Sequence, residues 1–202
     1  MLDDLATLIR DRALDQPRLI VAIAGAPGAG KSTLAGDLAA RLGALAVVMP
    51  MDGYHLDNAV LEARGLRARK GAPETFDVAG MVRDLERLRA DEPEVLVPVF
   101  DRGLDLSRAA ARVIGPQARI VLVEGNYLLL DRAPWEGLAS FWDLTVMVST
   151  PEPVLRARLV QRWLVQDHDL GAAEARAEGN DLRNARIVAA ESRTADVAMS
   201  GL

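Results

Sequence analysis

The chain has 202 residues, with 24 basic side chains against 29 acidic ones and a formal net charge of −5. This is ordinary globular composition, for which one domain spanning residues 1–202 is expected. Cysteine is absent, which excludes thiolate catalysis, zinc ribbons, iron–sulfur clusters and disulfide scaffolds. The two histidines, His55 and His168, leave little for a metal centre. No apolar run reaches the ~18 residues of a membrane span, and no basic block offers a nucleic-acid surface. The N-terminus, with Asp3, Asp4 and Asp11, lacks the pattern of a secretory signal. A cytoplasmic protein is therefore expected, with no membrane and no nucleic acid as partner. Lysine occurs only at Lys31 and Lys70, so the remaining basic residues are all arginine.

Leu2, Leu5, Ala6, Ile9 and Ala13 recur at helical spacing, which predicts an amphipathic helix ending before Pro17. The apolar run Leu19 to Ala24 is short and rich in Ile and Val, as expected of a strand buried on both faces of a parallel sheet. Directly after it comes Gly25-Ala26-Pro27-Gly28-Ala29-Gly30-Lys31-Ser32, which satisfies G-x-x-x-x-G-K-[ST] and leads through Thr33 into a helical stretch ending at Leu42. Glycines there let successive backbone N–H groups turn inward on phosphate oxygens beside a helix N-terminus. In that arrangement Lys31 reaches the outer phosphates, and Ser32 offers its hydroxyl to Mg²⁺. The motif alone does not separate kinases from other P-loop ATPases or nucleotide sensors.

A second run, Leu45 to Met49, leads to Asp52, where a carboxylate at a strand end can accept the proton of an attacking hydroxyl; the alternative is a turn aspartate before Gly53. Asp52 to Thr75 reads as a long functional loop or small insert containing the basic cluster Arg64, Arg67, Arg69 and Lys70, which is either a set of substrate contacts or a solvated surface run. A helix over Val78 to Ala90 and a buried strand over Val95 to Val99 follow, then a second irregular stretch from Asp101 to Gly115. Asp101 reads either as a site carboxylate or as half of a surface ion pair with Arg102. Ile120 to Val123 is a further strand, and Glu124 at its end is placed to hold Mg²⁺ or its water, or to be satisfied by backbone amides. After the run Leu144 to Val148, a helix is predicted over Pro151 to Val165, capped by Thr150 with Pro151 at its first position. Arg158 and Arg162 sit four apart on one face of it, a spacing at which like charges repel unless a phosphate lies between them; the alternative is a solvated basic face. Alternating strands and helices give the fold class: α/β, a P-loop NTPase fold with a parallel β-sheet flanked by helices in three α/β/α layers. Guanine-reading switches carry an Asn-Lys-x-Asp segment, and neither lysine here follows Asn.

These motifs together resemble the P-loop small-molecule kinases, the family of uridine kinase, phosphoribulokinase and pantothenate kinase. Met51-Asp52-Gly53-Tyr54-His55 is similar to the segment carrying that family's catalytic aspartate. Residues 64 to 77, from Arg64 through Arg69, Lys70 and Phe76 to Asp77, are similar to the pantothenate kinase substrate loop. Val97-Pro98-Val99-Phe100-Asp101 resembles the segment of uridine kinase that faces the nucleoside, although Leu106 stands ahead of Ser107-Arg108 where that enzyme has a histidine. Glu124-Gly125-Asn126 resembles the family's Glu-Gly pair, and the segment Asn180 to Ala185, with Asn184, resembles one that lies near adenine. In length and pattern the chain is similar to bacterial fructose transport system kinase-like proteins.

The resemblance implies ATP and Mg²⁺ as cofactors and a kinase transferring the γ-phosphoryl group to a hydroxyl of a small metabolite, either a sugar such as fructose or a nucleoside or pantothenate-like acceptor. Asp52, Lys31, Arg158 and Arg162 would be catalytic, with Ser32 and Glu124 at the metal. The phosphate loop from Gly25 to Thr33 would hold the nucleotide together with Asn180 and Asn184. Asp52, Tyr54, His55, Arg69, Lys70, Phe76, Phe100, Asp101 and Asn126 would meet the acceptor, within a substrate loop at about 52–77 and beneath an arginine lid at about 151–180. Whether the chain pairs into a homodimer is open.

Overall fold

The structure, a computed structural model, describes residues 1–165 and 169–200. His168 and part of the expected lid lie outside the described residues. Five parallel strands form the main sheet: β1 (Leu19–Gly25), β2 (Ala46–Pro50), β5 (Ile120–Gly125), β6 (Leu144–Ser149) and β7 (Val197–Ser200), in the order β2-β5-β1-β6-β7. β1 is central and buried along its whole length, so both of its faces demand apolar side chains and the sequence shows no alternation. Ile20, Ala22 and Ala24 point into one core, while Leu19, Val21 and Ile23 point into the other.

On the second of these faces pack α1 (Leu2–Ala13), α2 (Lys31–Leu42) and α5 (Glu152–Val165), through Leu5, Ile9, Leu34, Leu38, Leu155 and Leu159. On the first face pack α4 (Val78–Arg89), through Met81, Leu85 and Leu88, and the segment from Tyr127 to Leu138 with its buried Trp135. This is the three-layer arrangement expected from the alternating pattern. The C-terminal ends of β1, β2 and β5 lie side by side, with Pro50 opposite Glu124 and Ile23 opposite Glu124 across the pairings. The phosphate loop and both strand-end carboxylates therefore share one edge of the sheet.

Three expectations are corrected. Val95 to Val99 does not join the parallel sheet: β3 (Val95–Asp101) pairs antiparallel with β4 (Leu106–Ile114) as a separate two-stranded ribbon. The stretch expected to be an irregular loop is therefore mostly strand. Its side chains from Ala109 to Ala111 are exposed, so β4 lacks the apolar run that marks a core strand. Thr150 does not cap the helix that follows. Its hydroxyl donates to the Ala29 carbonyl at 3.2 Å, and α5 instead starts from Pro151, whose carbonyl accepts from the Val154 and Leu155 amides. The loop from Asp52 to Thr75 contains α3 (Asn58–Ala63) and short 3-10 turns, and its ends are tied together by backbone pairing of His55 with Phe76. No helix among the described residues is long and apolar enough to cross a membrane.

Candidate active site

The phosphate loop is built from backbone that only small residues permit. Gly25, Gly28 and Gly30 all have positive φ. A Cβ on Gly25 would lie 2.5 Å from the Val148 carbonyl oxygen, so this position must be glycine for the loop to leave β1 beside β6. Gly30 is the N-cap of α2 and no side chain caps the helix's first amides, which leaves those N–H groups for an anionic ligand. Lys31 is buried and donates to the Ala26 carbonyl at 2.9 Å, so its ammonium is folded back over the loop. Burial pushes its pKa down, while the charges of Glu124 and Asp52 resist that shift. Burial likewise raises the pKa of Glu124, against the pull of Lys31 and a hydrogen bond with Ser32. The site thus holds desolvated charges of both signs, an arrangement suited to a polyphosphate and a hard cation.

A cavity of about 670 Å³ opens in front of this loop. Its lining joins Lys31, Ser32 and Thr33 to Asp52 and Glu124, to Arg158 and Arg162, and to His55, Lys70, Phe76, Phe100 and Asn126. Most of the residues singled out from the sequence are therefore brought together. Asp52 extends from the turn after β2, with its Oδ2 2.7 Å from Nη2 of Arg102. Gly53 lets this turn press against the ribbon: a Cβ there would lie 2.3 Å from the Pro98 carbonyl oxygen. His55 sits between Phe76 and Phe100, at ring-centroid distances of 4.2 and 4.6 Å. Its Nδ1 lies 2.8 Å from the Asp52 carbonyl oxygen, which fixes Nδ1 as the protonated nitrogen and Nε2 as an acceptor. Burial lowers its pKa, against the pull of the Asp52 charge, and so favours the neutral imidazole.

Lys70 is nearly buried and donates to the Asn58 amide oxygen at 2.7 Å and to the Asp105 carboxylate at 2.9 Å, with its ammonium 5.0 Å from the Phe100 ring centre. Arg67 joins the same Asp105 at 3.0 Å. Asp105, in a left-handed conformation on the β3–β4 turn, thereby pins the substrate loop to the ribbon. Sequence reasoning missed it, because its partners are 35 or more residues away.

Three of the expected groups of site residues have protein partners of their own, although Asn180 and Asn184 also line the main cavity. The Tyr54 hydroxyl points away from the cavity and donates to Asp84 at 2.8 Å, since the core side of its turn is the apolar one. Asp101 accepts from the Gly103 and Leu104 amides at 3.1 Å and pairs with Arg108, so its carboxylate serves the hairpin turn. Asn180 and Asn184 bind the substrate loop: Asn180 accepts from Arg69 at 2.6 Å, Asn184 accepts from the same guanidinium at 3.2 Å, and they donate to the Lys70 and Gly71 carbonyls. Arg69 is consumed in this contact.

Asn180 stands on a π-helical turn, Ala177–Leu182, between α6 (Leu170–Arg176) and α7 (Arg183–Glu191). The next residue, Asp181, is buried and accepts from Nε1 of Trp163 at 2.6 Å and from Arg162 at 3.4 Å. Arg158 donates to the Gly28 carbonyl at 3.2 Å. Arg158 is therefore anchored on the phosphate loop and Arg162 on the π-helical turn; Asp181 lies inside the segment Asn180 to Ala185 marked from the sequence, whereas its contact with Trp163 was not foreseen.

No profile of a known protein family matches the chain. Individual relatives do. The chain is 34% identical over 200 residues to a Schizosaccharomyces pombe protein provisionally named uridine kinase C227.14, covering 93% of this chain and 85% of the relative. It is 32% identical over 156 residues to pantothenate kinase of Rhodopseudomonas palustris strain BisB18, of whose length it spans 49%. The crystal structure of a Silicibacter sp. TM1040 protein, provisionally named a fructose transport system kinase, superposes with a TM-score of 0.93 at 47% identity and covers 98% of both chains. On this similarity, and with a phosphate loop and strand-end carboxylates along one sheet edge, the chain belongs to the P-loop small-molecule kinases of the uridine kinase, phosphoribulokinase and pantothenate kinase family.

Proposed function

We propose that the protein transfers the γ-phosphoryl group of ATP to a hydroxyl of a small metabolite with the help of Mg²⁺. The observation that carries this reading is the placement of Asp52 in the same cavity as Lys31, Ser32 and Glu124. A P-loop ATPase that only hydrolyses nucleotide needs no carboxylate base set beside an aromatic-walled pocket. Ser32 and Glu124 would hold Mg²⁺, which supplies charge neutralisation on the phosphates. The phosphate loop amides and Lys31 bind the triphosphate, and Arg158 and Arg162 neutralise charge on the transferring group. Asp52 takes the proton of the acceptor hydroxyl as the acceptor oxygen bonds to phosphorus; the bond to the β-phosphate oxygen breaks, and its electron pair leaves with ADP. Nε2 of His55 accepts a hydrogen bond from the acceptor, while Phe76 and Phe100 pack its carbon skeleton.

A second cavity, of about 470 Å³, starts at Ala26 and Thr150 and runs between β6, β7 and α7 past Ala185, Arg193 and Thr194. It begins on the opposite side of the phosphate loop from Asp52, and we assign the adenine and ribose to it in place of Asn180 and Asn184.

The test separates base from nucleotide binding. Asp52→Asn is expected to retain ATP affinity and to lower phosphoryl transfer by about 10²-fold or more, read as acceptor-dependent ADP release across a library of sugars, nucleosides and hydroxy acids. Undiminished transfer in that variant removes Asp52 as the base. ADP release that no alcohol in the library stimulates overturns the kinase reading.

A further inference from the structure

In the transfer described above, Asp52 starts as an anion and ends, having taken the acceptor's proton, as a neutral acid. Its carboxylate is also the counter-ion of Arg102 at 2.7 Å. The other cations facing the acceptor side have partners that survive the step: Arg67 and Lys70 share Asp105 at 3.0 and 2.9 Å. Asp101, next to Arg102 in the chain, is committed to the Gly103 and Leu104 amides and to Arg108. Arg102 therefore loses its counter-ion at the moment of reaction, in a cavity already lined by seven cationic side chains against four acidic ones.

Charge balance and mobility point to the same answer. The Arg102 side chain is 65% exposed at the tip of the ribbon, where a long side chain exchanges partners at little cost. While it holds Asp52 it competes for the base. A neutral alcohol gives it no reason to leave.

We propose that the acceptor carries its own anion, a carboxylate or a phosphate a few bonds from the reacting hydroxyl, and that Arg102 binds this anion. The inference rests on the kinase reading above. Capture of the anion by the guanidinium fork draws Arg102 from Asp52, frees the base only when the right acceptor is present, and replaces the counter-ion that proton transfer removes. The His55, Phe76 and Phe100 wall then takes the intervening carbon atoms.

The experiment compares matched acceptors on the full chain with ATP and Mg²⁺: glycerate against glycerol and pantothenate against pantothenol for a carboxylate, and fructose 6-phosphate against fructose and ribulose 5-phosphate against ribulose for a phosphate. The expected result is kcat/KM about 10²-fold higher for the charged member of at least one pair. Which pair responds distinguishes carboxylate from phosphate. Arg102→Gln should raise the KM for that acceptor about 10-fold or more without a matching rise in the KM for ATP, and Arg102→Lys should recover part of the loss. Transfer to a neutral member as efficient as to its charged counterpart overturns the proposal and leaves the kinase reading standing. So does a rise in the KM for ATP in place of that for the acceptor. Absence of transfer to every member of this panel and of the wider library removes both.

Discussion

Tyr54 and His55 are adjacent in the chain, and their side chains part company. His55 lies on the cavity side, held between the tilted rings of Phe76 and Phe100, while Tyr54 turns inward and gives its hydroxyl to Asp84. Burial and that hydrogen bond raise the pKa of the phenol, which keeps it a neutral donor. Tyr54→Phe should therefore cost about 1 kcal/mol of stability, the net worth of one partly buried hydrogen bond, which for a chain of this size is a fall in Tm of about 2–4 °C. Acceptor and ATP KM values should stay within about twofold. An acceptor KM that rises about 10-fold at unchanged Tm would return Tyr54 to the substrate site. Nothing in the dipeptide Tyr54-His55 shows which ring meets the ligand, because a one-residue rotation of the turn exchanges them.

At the scale of elements, the site depends on a ribbon docked against a turn. β3 and β4 contribute nothing to the main sheet, yet they carry Phe100, Arg102 and Asp105 to the cavity. Gly53 is where they meet the turn that holds Asp52. Its added Cβ would strike backbone atoms, Pro98 O at 2.3 Å and Pro98 C at 2.7 Å, and backbone cannot rotate aside. Gly53→Ala is expected to destabilise the protein by about 1–3 kcal/mol and to lower transfer more than it lowers ATP affinity, since the nucleotide side of the cavity is formed by β1 and α2. Calorimetry beside nucleotide titration checks both, and equal losses in the two would place the strain elsewhere. β1 and β5 of the main sheet were legible because burial on both faces leaves unbroken apolar runs such as Leu19 to Ala24. The ribbon was not, because β4, Leu106 to Ile114, is exposed along most of its length and reads like a loop. β7 was missed for a related reason: it is a four-residue edge strand with one buried side chain, Met199, and local sequence gives so short a segment little signal.

At the scale of the molecule, the phosphate loop and both strand-end carboxylates could be placed from sequence, because their spacing is local. The joint between nucleotide and acceptor sides could not, because its contacts span more than 100 residues. Arg69 reaches Asn180 and Asn184 across separations of 111 and 115. The same π-helical turn presents Asn180 to the substrate loop and Asp181 to Arg162 and Trp163 of the lid. Adjacent residues of one turn thus grip the two halves of the cavity, and a π-turn is a rare conformation found frequently at functional sites. A lid drawn onto the phosphates should pull Asn180 with it and order the Lys70–Gly71 segment, so that each ligand tightens the other by the same factor. Asn180→Ala cuts the link on the acceptor side and leaves Asp181 and Arg162 in place. In the parent protein, a non-hydrolysable ATP analogue is expected to raise acceptor affinity by about 5-fold or more and to slow amide exchange across residues 67–71. In Asn180→Ala both effects should vanish while affinity for the analogue alone changes less than twofold. Coupling that persists in the variant would show that the two halves communicate through the sheet edge and not through this turn.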